Sequence, residues 1–486
     1  MAIRSPGSAS HSAAHPVGGR RRAHFRRDIG VSGLTLLTLG GIMGSGLFLA
    51  SGMAIREAGP GIVAVFAVGF LAMYLEINAL AEMSAASPVA GSFLVYCRQV
   101  LGPGSTFVAG WIYWFSSVLT MSSEVTAAAL FTGLWFPAVP LWVWSLVYSA
   151  FIVFLNFFGV RSFQTVENLM AGLKTVAVFA FLVLGALLLT GTLPRAPGVA
   201  APGWDPLASG GPLFPHGLPG AAAALLLVLF AYAGTGVVGM AAAETRRPEQ
   251  TIPRSVRATV LVVGLLYLGS AYLLVTMQPW SHVPTHASPF VTALRGTALP
   301  YVADLMNLVL LFAVLSTMNA ALYANVRVLY TLGKEREAPA WLGRLNRHGV
   351  PAHATCTSAA LLLGAILLAY LLPHRAYQYL VTATGFQAMF IWLMILVTHL
   401  FYRGYLRRHH PERLQHRLWG FPITTLLVIA LVLVGLAGSL GVPAERVGAL
   451  VGLAGIALTA AVWAVARGRL LPRIQAEHPG DAGRGG

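Results

Sequence analysis

Gly40-Gly41-Ile42-Met43-Gly44-Ser45-Gly46 lies in the middle of the first long apolar stretch of the chain, and Ala233-Gly234-Thr235-Gly236-Val237-Val238-Gly239 in the middle of the sixth. Glycine costs about 1 kcal/mol relative to alanine inside a helix, so a cluster at the centre of an apolar helix has a cause. One cause is close packing, since membrane helices meet through small residues. The other is interruption of the helix. Two clusters, five apolar stretches apart and each the first of its half, fit the second reading. Discontinuous helices at corresponding positions of two halves mark an inverted-repeat membrane fold with a site near the midplane.

The composition around them supports a membrane chain. Of 486 residues, 57% are hydrophobic and 10% charged, where a soluble domain carries about a quarter charged residues. The charges are missing from long blocks, as in membrane spans. Twelve spans are expected, at about 31–54, 61–83, 107–132, 141–160, 166–190, 219–242, 257–277, 301–331, 353–373, 376–402, 420–440 and 447–467. Each covers a ~30 Å core at 1.5 Å per residue. The expected organisation is a disordered basic tail over 1–28, a first repeat over 29–191, a Pro- and Gly-rich loop over 192–218, a second repeat over 219–403, two further spans within 404–471 and a tail over 472–486. The first apolar stretch follows a long basic tail without a small-residue cleavage site, and reads as a retained span.

The formal charge of +16 does not indicate nucleic acid, because the basic residues sit in alternate loops. Arg20, Arg21, Arg22, Arg26 and Arg27 precede the first span; Arg246, Arg247, Arg254 and Arg257 follow the sixth; Arg327 ends the eighth and Lys334, Arg336 and Arg344 follow it; Arg403, Arg407, Arg408 and Arg413 follow the tenth. The intervening loops carry single arginines, such as Arg56, Arg195, Arg295, Arg375 and Arg446. By the positive-inside rule both termini face the cytoplasm, which places the chain in the inner membrane as a multi-pass protein. Cys97 and Cys356 fall near the ends of spans on that side, so neither a disulfide nor zinc is indicated. The chain has no HExxH motif, no P-loop and no acid and histidine cluster at metal spacing, which speaks against an enzyme. Most histidines lie in tails and loops, and His399, near the end of span ten, reads as interfacial.

Three charges lie well inside spans, away from their ends, where ionisable groups are expensive and mark function. Lys174 lies in span five, away from both sets of loops. At mid-membrane it costs about 2.5–3.5 kcal/mol, unless it snorkels to the nearby span end. Glu124, deep in span three, reads as a selector of substrate side chain, a proton shuttle or a structural hydrogen-bond partner. Glu76 is a second intramembrane carboxylate with no role evident from its neighbours.

Several stretches resemble the amino acid–polyamine–organocation superfamily, and within it the bacterial amino acid transporter branch. These are Gly40 to Phe48; Ala81-Glu82-Met83 with Ser87 to Phe93; Gly110-Trp111-Ile112-Tyr113-Trp114; Glu244 to Pro248 with Ile252-Pro253-Arg254; and Ser316 to Tyr323. They occur in family order through nearly the whole membrane region. The resemblance implies an all-α fold of 12 transmembrane helices, a leucine-transporter-type 5+5 inverted repeat with discontinuous helices 1 and 6. It implies alternating access to an amino acid, no cofactor, a proton gradient as driving force, and membrane lipid and the amino acid as partners; it sets no oligomeric state.

The resemblance also places a site. Breaking a helix bares N–H groups at the start of its second half and carbonyls at the end of its first. Backbone N–H groups around Gly44, Ser45 and Gly46, with the Ser45 hydroxyl, would hold the substrate carboxylate. Carbonyls of Ile42, Phe230 and Ala233 would take its ammonium, and Tyr232 falls where the family has an aromatic gate, unless it is a packing residue. In proton-coupled relatives a lysine at the position of Lys174 puts its amine between helices one and eight, with Ser316 and Thr317 as neighbours. Burial disfavours the charged amine, so it can release and rebind a proton. One departure concerns Gly236, which stands where many relatives carry glutamate after the span-six Gly-Thr pair. Its absence argues against a strongly cationic substrate. The reading is proton-coupled uptake of a neutral amino acid; exchange of amino acids, or a receptor that binds without transporting, would use the same site.

Overall fold

The structure, a computed structural model, describes residues 29–89, 92–157, 163–197, 212–346, 351–373 and 375–477. The tail expected over 1–28, the middle of the 192–218 segment (198–211) and residues 478–486 lie outside them. Among the described residues the regular structure is helical, with two isolated bridges. The helices are α1 (Val31–Ile42), α2 (Ser51–Ala58), α3 (Ile62–Ala86), α4 (Phe93–Gly133), α5 (Leu141–Phe157), α6 (Phe163–Leu189), α7 (Gly217–Ala231), α8 (Val237–Met240), α9 (Pro248–Met277), α10 (Pro289–Leu294), α11 (Val302–Lys334), α12 (Ala352–Leu371), α13 (Ala376–His409), α14 (Ile423–Gly441) and α15 (Pro443–Glu477). Eight helical stretches of the described residues are long and apolar enough to cross a membrane, and α1, α5 and α7 are shorter apolar helices.

The outer faces carry side chains that water would not tolerate together. Leu261 is 74% exposed and Val465 88%, with Leu265, Phe179 and Leu363 also exposed. A lipid environment accounts for such a surface, and the chain is a multi-pass membrane protein. Its centre is built by α1 against α6 and α9, by α2 against α7, by α3 against α9, and by α4 against α11 and α13.

Two helices begin earlier than the hydropathy suggests. α4 starts at Phe93, not near 107, and turns sharply at Gly102, whose φ of 83° only glycine adopts readily. α9 starts at Pro248, not near 257, with proline at the first helical position, where no N–H is missed. In both, the apolar window sees only the part that crosses the membrane, while the helix continues beyond it.

The early turns of α4 belong to a polar latch at the end of the bundle that carries the basic loops. Arg98 donates to Glu335 at 2.7 Å and to Glu337, and the Trp111 indole N–H reaches the Glu337 carbonyl at 3.3 Å. Burial pushes the Glu337 carboxyl up to about 7, with Arg98 opposing and Glu335 reinforcing the rise. In this range the native state holds a proton that the unfolded chain has already lost, so this group's contribution to stability falls as pH rises from about 4.5 to 7. Glu337→Gln is expected to flatten that part of the pH profile of melting temperature in detergent. An unchanged slope would remove Glu337 as its source.

Candidate functional site

The first break is held open by side chains from other helices. α1 ends at Ile42; Met43 leaves the helix with ψ 88°, and a wide turn over Gly46–Ala50 leads into α2. The Gly44 N–H turns back to the Ile42 carbonyl at 3.1 Å. The Ser45 N–H donates to both carboxylate oxygens of Glu124, at 3.0 and 3.1 Å, and the Ser45 hydroxyl donates to one of them at 3.0 Å. Tyr377 on α13 donates to the Ser45 carbonyl at 3.0 Å, and Tyr267 on α9 to the Ile42 carbonyl at 3.2 Å. Thr317 on α11 lies 3.2 Å from the Met43 carbonyl. Four backbone groups of the break, the Ile42, Met43 and Ser45 carbonyls and the Ser45 N–H, thus meet side chains from four different helices.

The second break faces the first. α7 ends at Ala231, Gly234 takes φ 103°, and α8 resumes at Val237. A Cβ on Gly234 would stand 2.3 Å from the Gly41 carbonyl oxygen, whereas one on Gly236 would meet nothing within 4 Å. Backbone presses on backbone at Gly234. Gly234→Ala is therefore expected to cost at least about 1–3 kcal/mol in backbone conformation alone and to lower the melting temperature and yield of purified protein. Gly236→Ala, measured beside it, is expected to leave both unchanged; equal losses would mean the contact does not matter.

Lys174 joins the halves. It is 1% exposed, and its ammonium donates to the Gly40 carbonyl on α1 at 3.2 Å and to the Thr317 hydroxyl on α11 at 2.8 Å. It points inward and does not snorkel. Its charged neighbours are Glu167 and Glu124. Of the two expected α11 partners, Thr317 bonds the amine, while the Ser316 hydroxyl donates to the Glu167 carboxylate at 2.9 and 3.0 Å.

Between the breaks lies a cavity of about 170 Å³. A void of about 150 Å³ already holds benzene, so a small zwitterion fits. Gly44, Gly46 and Glu124 line its inner end, with Phe230, Ala233 and Gly236 beside them. From there it runs past Tyr113, Met240, Ala324 and Ile395 toward the basic-loop end. Glu124 is the one charged side chain on its wall among the described residues.

Several expected roles change in this light. Ser45 offers its N–H to Glu124, so the place expected for a substrate carboxylate holds a carboxylate of the protein itself. The Ile42 carbonyl accepts from both Tyr267 and the Gly44 N–H, which leaves Phe230 and Ala233 at the cavity wall for an ammonium. Tyr232 is no gate here: it is buried, donates to the Phe66 carbonyl at 3.1 Å and stacks on Tyr267 with centroids 4.8 Å apart. Phe230 and Trp392 are the aromatic residues at that part of the cavity. His399 is not interfacial but fully buried, 3.5 Å from Glu82 and 3.3 Å from Thr425. Glu82 itself holds Arg403 and the Leu418 N–H at 3.2 and 2.6 Å, a structural tie between α3, α13 and the turn before α14. The sequence reading missed Glu167, Tyr267 and Tyr377. Only Glu167 left a trace: it stands seven residues before Lys174, two turns along one face of α6.

Residues 33–455 match the family model described as amino acid permease. The chain is 33% identical over 436 residues to an uncharacterized amino acid permease, YtnA, of Bacillus subtilis, covering 89% of this chain and 93% of that one. It is 33% identical over 405 residues to the gamma-aminobutyric acid permease of the same organism, covering 83% and 86%. To the L-asparagine permease of Streptomyces coelicolor it is 32% identical over 413 residues, covering 85% and 84%. Among solved structures, two mutants of a manganese transporter from Eremococcus coleocola superpose with TM-scores of 0.55 and 0.56 at 14% identity, over 92% of this chain and 95% of theirs. At that identity the likeness is one of fold alone.

Proposed function

Because the chain belongs to the amino acid permease family, a family of transporters and not of enzymes, we propose that it takes up a neutral amino acid together with a proton, by alternating access to the cavity between the two breaks. Family and fold favour transport over binding alone. The observation that carries the coupling is the Lys174 ammonium, shared between the Gly40 carbonyl and the Thr317 hydroxyl. A charged amine ties α1 to α11. A neutral one has fewer protons to donate and loses its attraction for the carbonyl dipole, so the contact weakens when the proton leaves.

Substrate enters in competition with Glu124. Its carboxylate takes the Ser45 N–H and hydroxyl, and Glu124 turns toward Lys174, its charged neighbour. The ammonium settles against the Phe230 and Ala233 carbonyls. The side chain points to Ala388, Ile391 and Trp392, which offer no charge, and this supports a neutral substrate. We place both termini in the cytoplasm and the protein in the inner membrane, from the basic loops around α4, α9, α11 and α13.

The test is purified protein in proteoliposomes. A thermal-stabilisation screen against the twenty amino acids finds the substrate, since a ligand of the native state raises its melting temperature. Uptake is then compared under an imposed pH gradient and by counterflow without one. Accumulation that follows the gradient supports the proposal; counterflow alone would mean exchange and refute the coupling.

A further inference from the structure

Glu76 lies in the second half of α3, 0% exposed, and neither of its carboxylate oxygens has a hydrogen-bond partner. The polar side chain facing it is that of Thr235, whose hydroxyl is also unpartnered. Asn78, two residues on, turns its amide to the Tyr74 carbonyl at 2.7 Å and gives Glu76 nothing. Among the described residues no cation offsets a charge on Glu76. A bare carboxylate in such a place is costly, while a neutral carboxyl is not.

Thr235 is also part of the cavity wall, at the second break between Gly234 and Gly236. Thr235, itself 0% exposed, therefore stands between Glu76 and the cavity. An ammonium or a hydrated ion cannot reach a carboxylate so fully covered. A proton can, because a hydroxyl accepts on one side and donates on the other. The acid missing at position 236 thus has a counterpart, supplied from α3 to the same broken helix.

On the reading of proton-coupled uptake, we propose that Glu76 is a second proton-carrying site of the cycle, loaded and emptied through Thr235. A hydronium in the cavity gives its excess proton to the Thr235 oxygen and becomes water, the hydroxyl's own proton passes to the Glu76 carboxylate, and release runs the same exchange in reverse. The experiment records labelled substrate and internal pH together in proteoliposomes. Glu76→Gln is expected to keep counterflow and substrate-induced stabilisation but to lower protons moved per substrate at least twofold. Thr235→Val is expected to slow the proton signal, and Thr235→Ser to restore it, which keeps the proposal testable if Glu76→Gln does not fold. An unchanged proton count in Glu76→Gln, or a change confined to KM, overturns the proposal and leaves coupled uptake standing. Wild-type protein that moves substrate without protons would overturn both.

Discussion

Lys174→Ala is expected to lose pH-driven accumulation while keeping counterflow. Each proton coupled to a substrate sustains about a tenfold substrate ratio per unit of pH step; without the tie between α1 and α11 no proton movement is coupled to substrate, and the variant is expected to hold a ratio near one. The reason is the placement of the amine, bonded at once to Gly40 on α1 and Thr317 on α11. No other side chain reaches the Gly40 carbonyl among the described hydrogen bonds, so nothing replaces the tie. The cavity wall does not include Lys174, and substrate binding should survive. Thr317→Val separates contact from charge: it keeps the amine and removes its 2.8 Å acceptor, and it is expected to weaken accumulation without abolishing it. Full pH-driven uptake by Lys174→Ala would show that the lysine is structural and that coupling resides elsewhere.

What the sequence could show of this site divides by how local the signal is. Apolar blocks and glycine clusters are written in consecutive residues, so the membrane class and both breaks were legible, and Lys174 stood out as a lone charge. Helix phase was not. Neighbouring residues point about 100° apart around a helix, and that angle decides that Thr317 meets Lys174 while Ser316 meets Glu167. The same angle turns Tyr232 toward Phe66 and Tyr267 and leaves Phe230 at the cavity. Tyr267 and Tyr377 act on the first break from more than two hundred residues away in sequence, and nothing near them in the chain announces it. Glu124 combined both cases: its depth in the membrane was legible, its partner was not. That partner matters, because the Glu124 carboxylate already satisfies the Ser45 N–H and hydroxyl, and on the proposed reading a substrate carboxylate has to exchange with it.

That exchange makes Gly44 the sharpest test of the site. A Cβ there would stand 2.6 Å from the nearer Glu124 oxygen and 3.0 Å from the Thr317 methyl. The first neighbour is the end of a flexible side chain, so the fold can yield, but only by moving Glu124 off Ser45 and filling the inner end of the cavity. Gly44→Val is therefore expected to reach the membrane and elute like wild type, yet to show no substrate-induced stabilisation. Wild type at a hundred times Kd gains about 2.7 kcal/mol. Gly44→Ala is expected to lie between the two, with weakened binding and measurable uptake. Gly46 cannot serve in its place, because a Cβ there would stand 2.7 Å from the Ala231 Cα, and displacing backbone disturbs the packing of α7 as well as any ligand. Saturable substrate binding by well-folded Gly44→Val would move the site away from the first break, since no zwitterion could then share that space with the valine and Glu124.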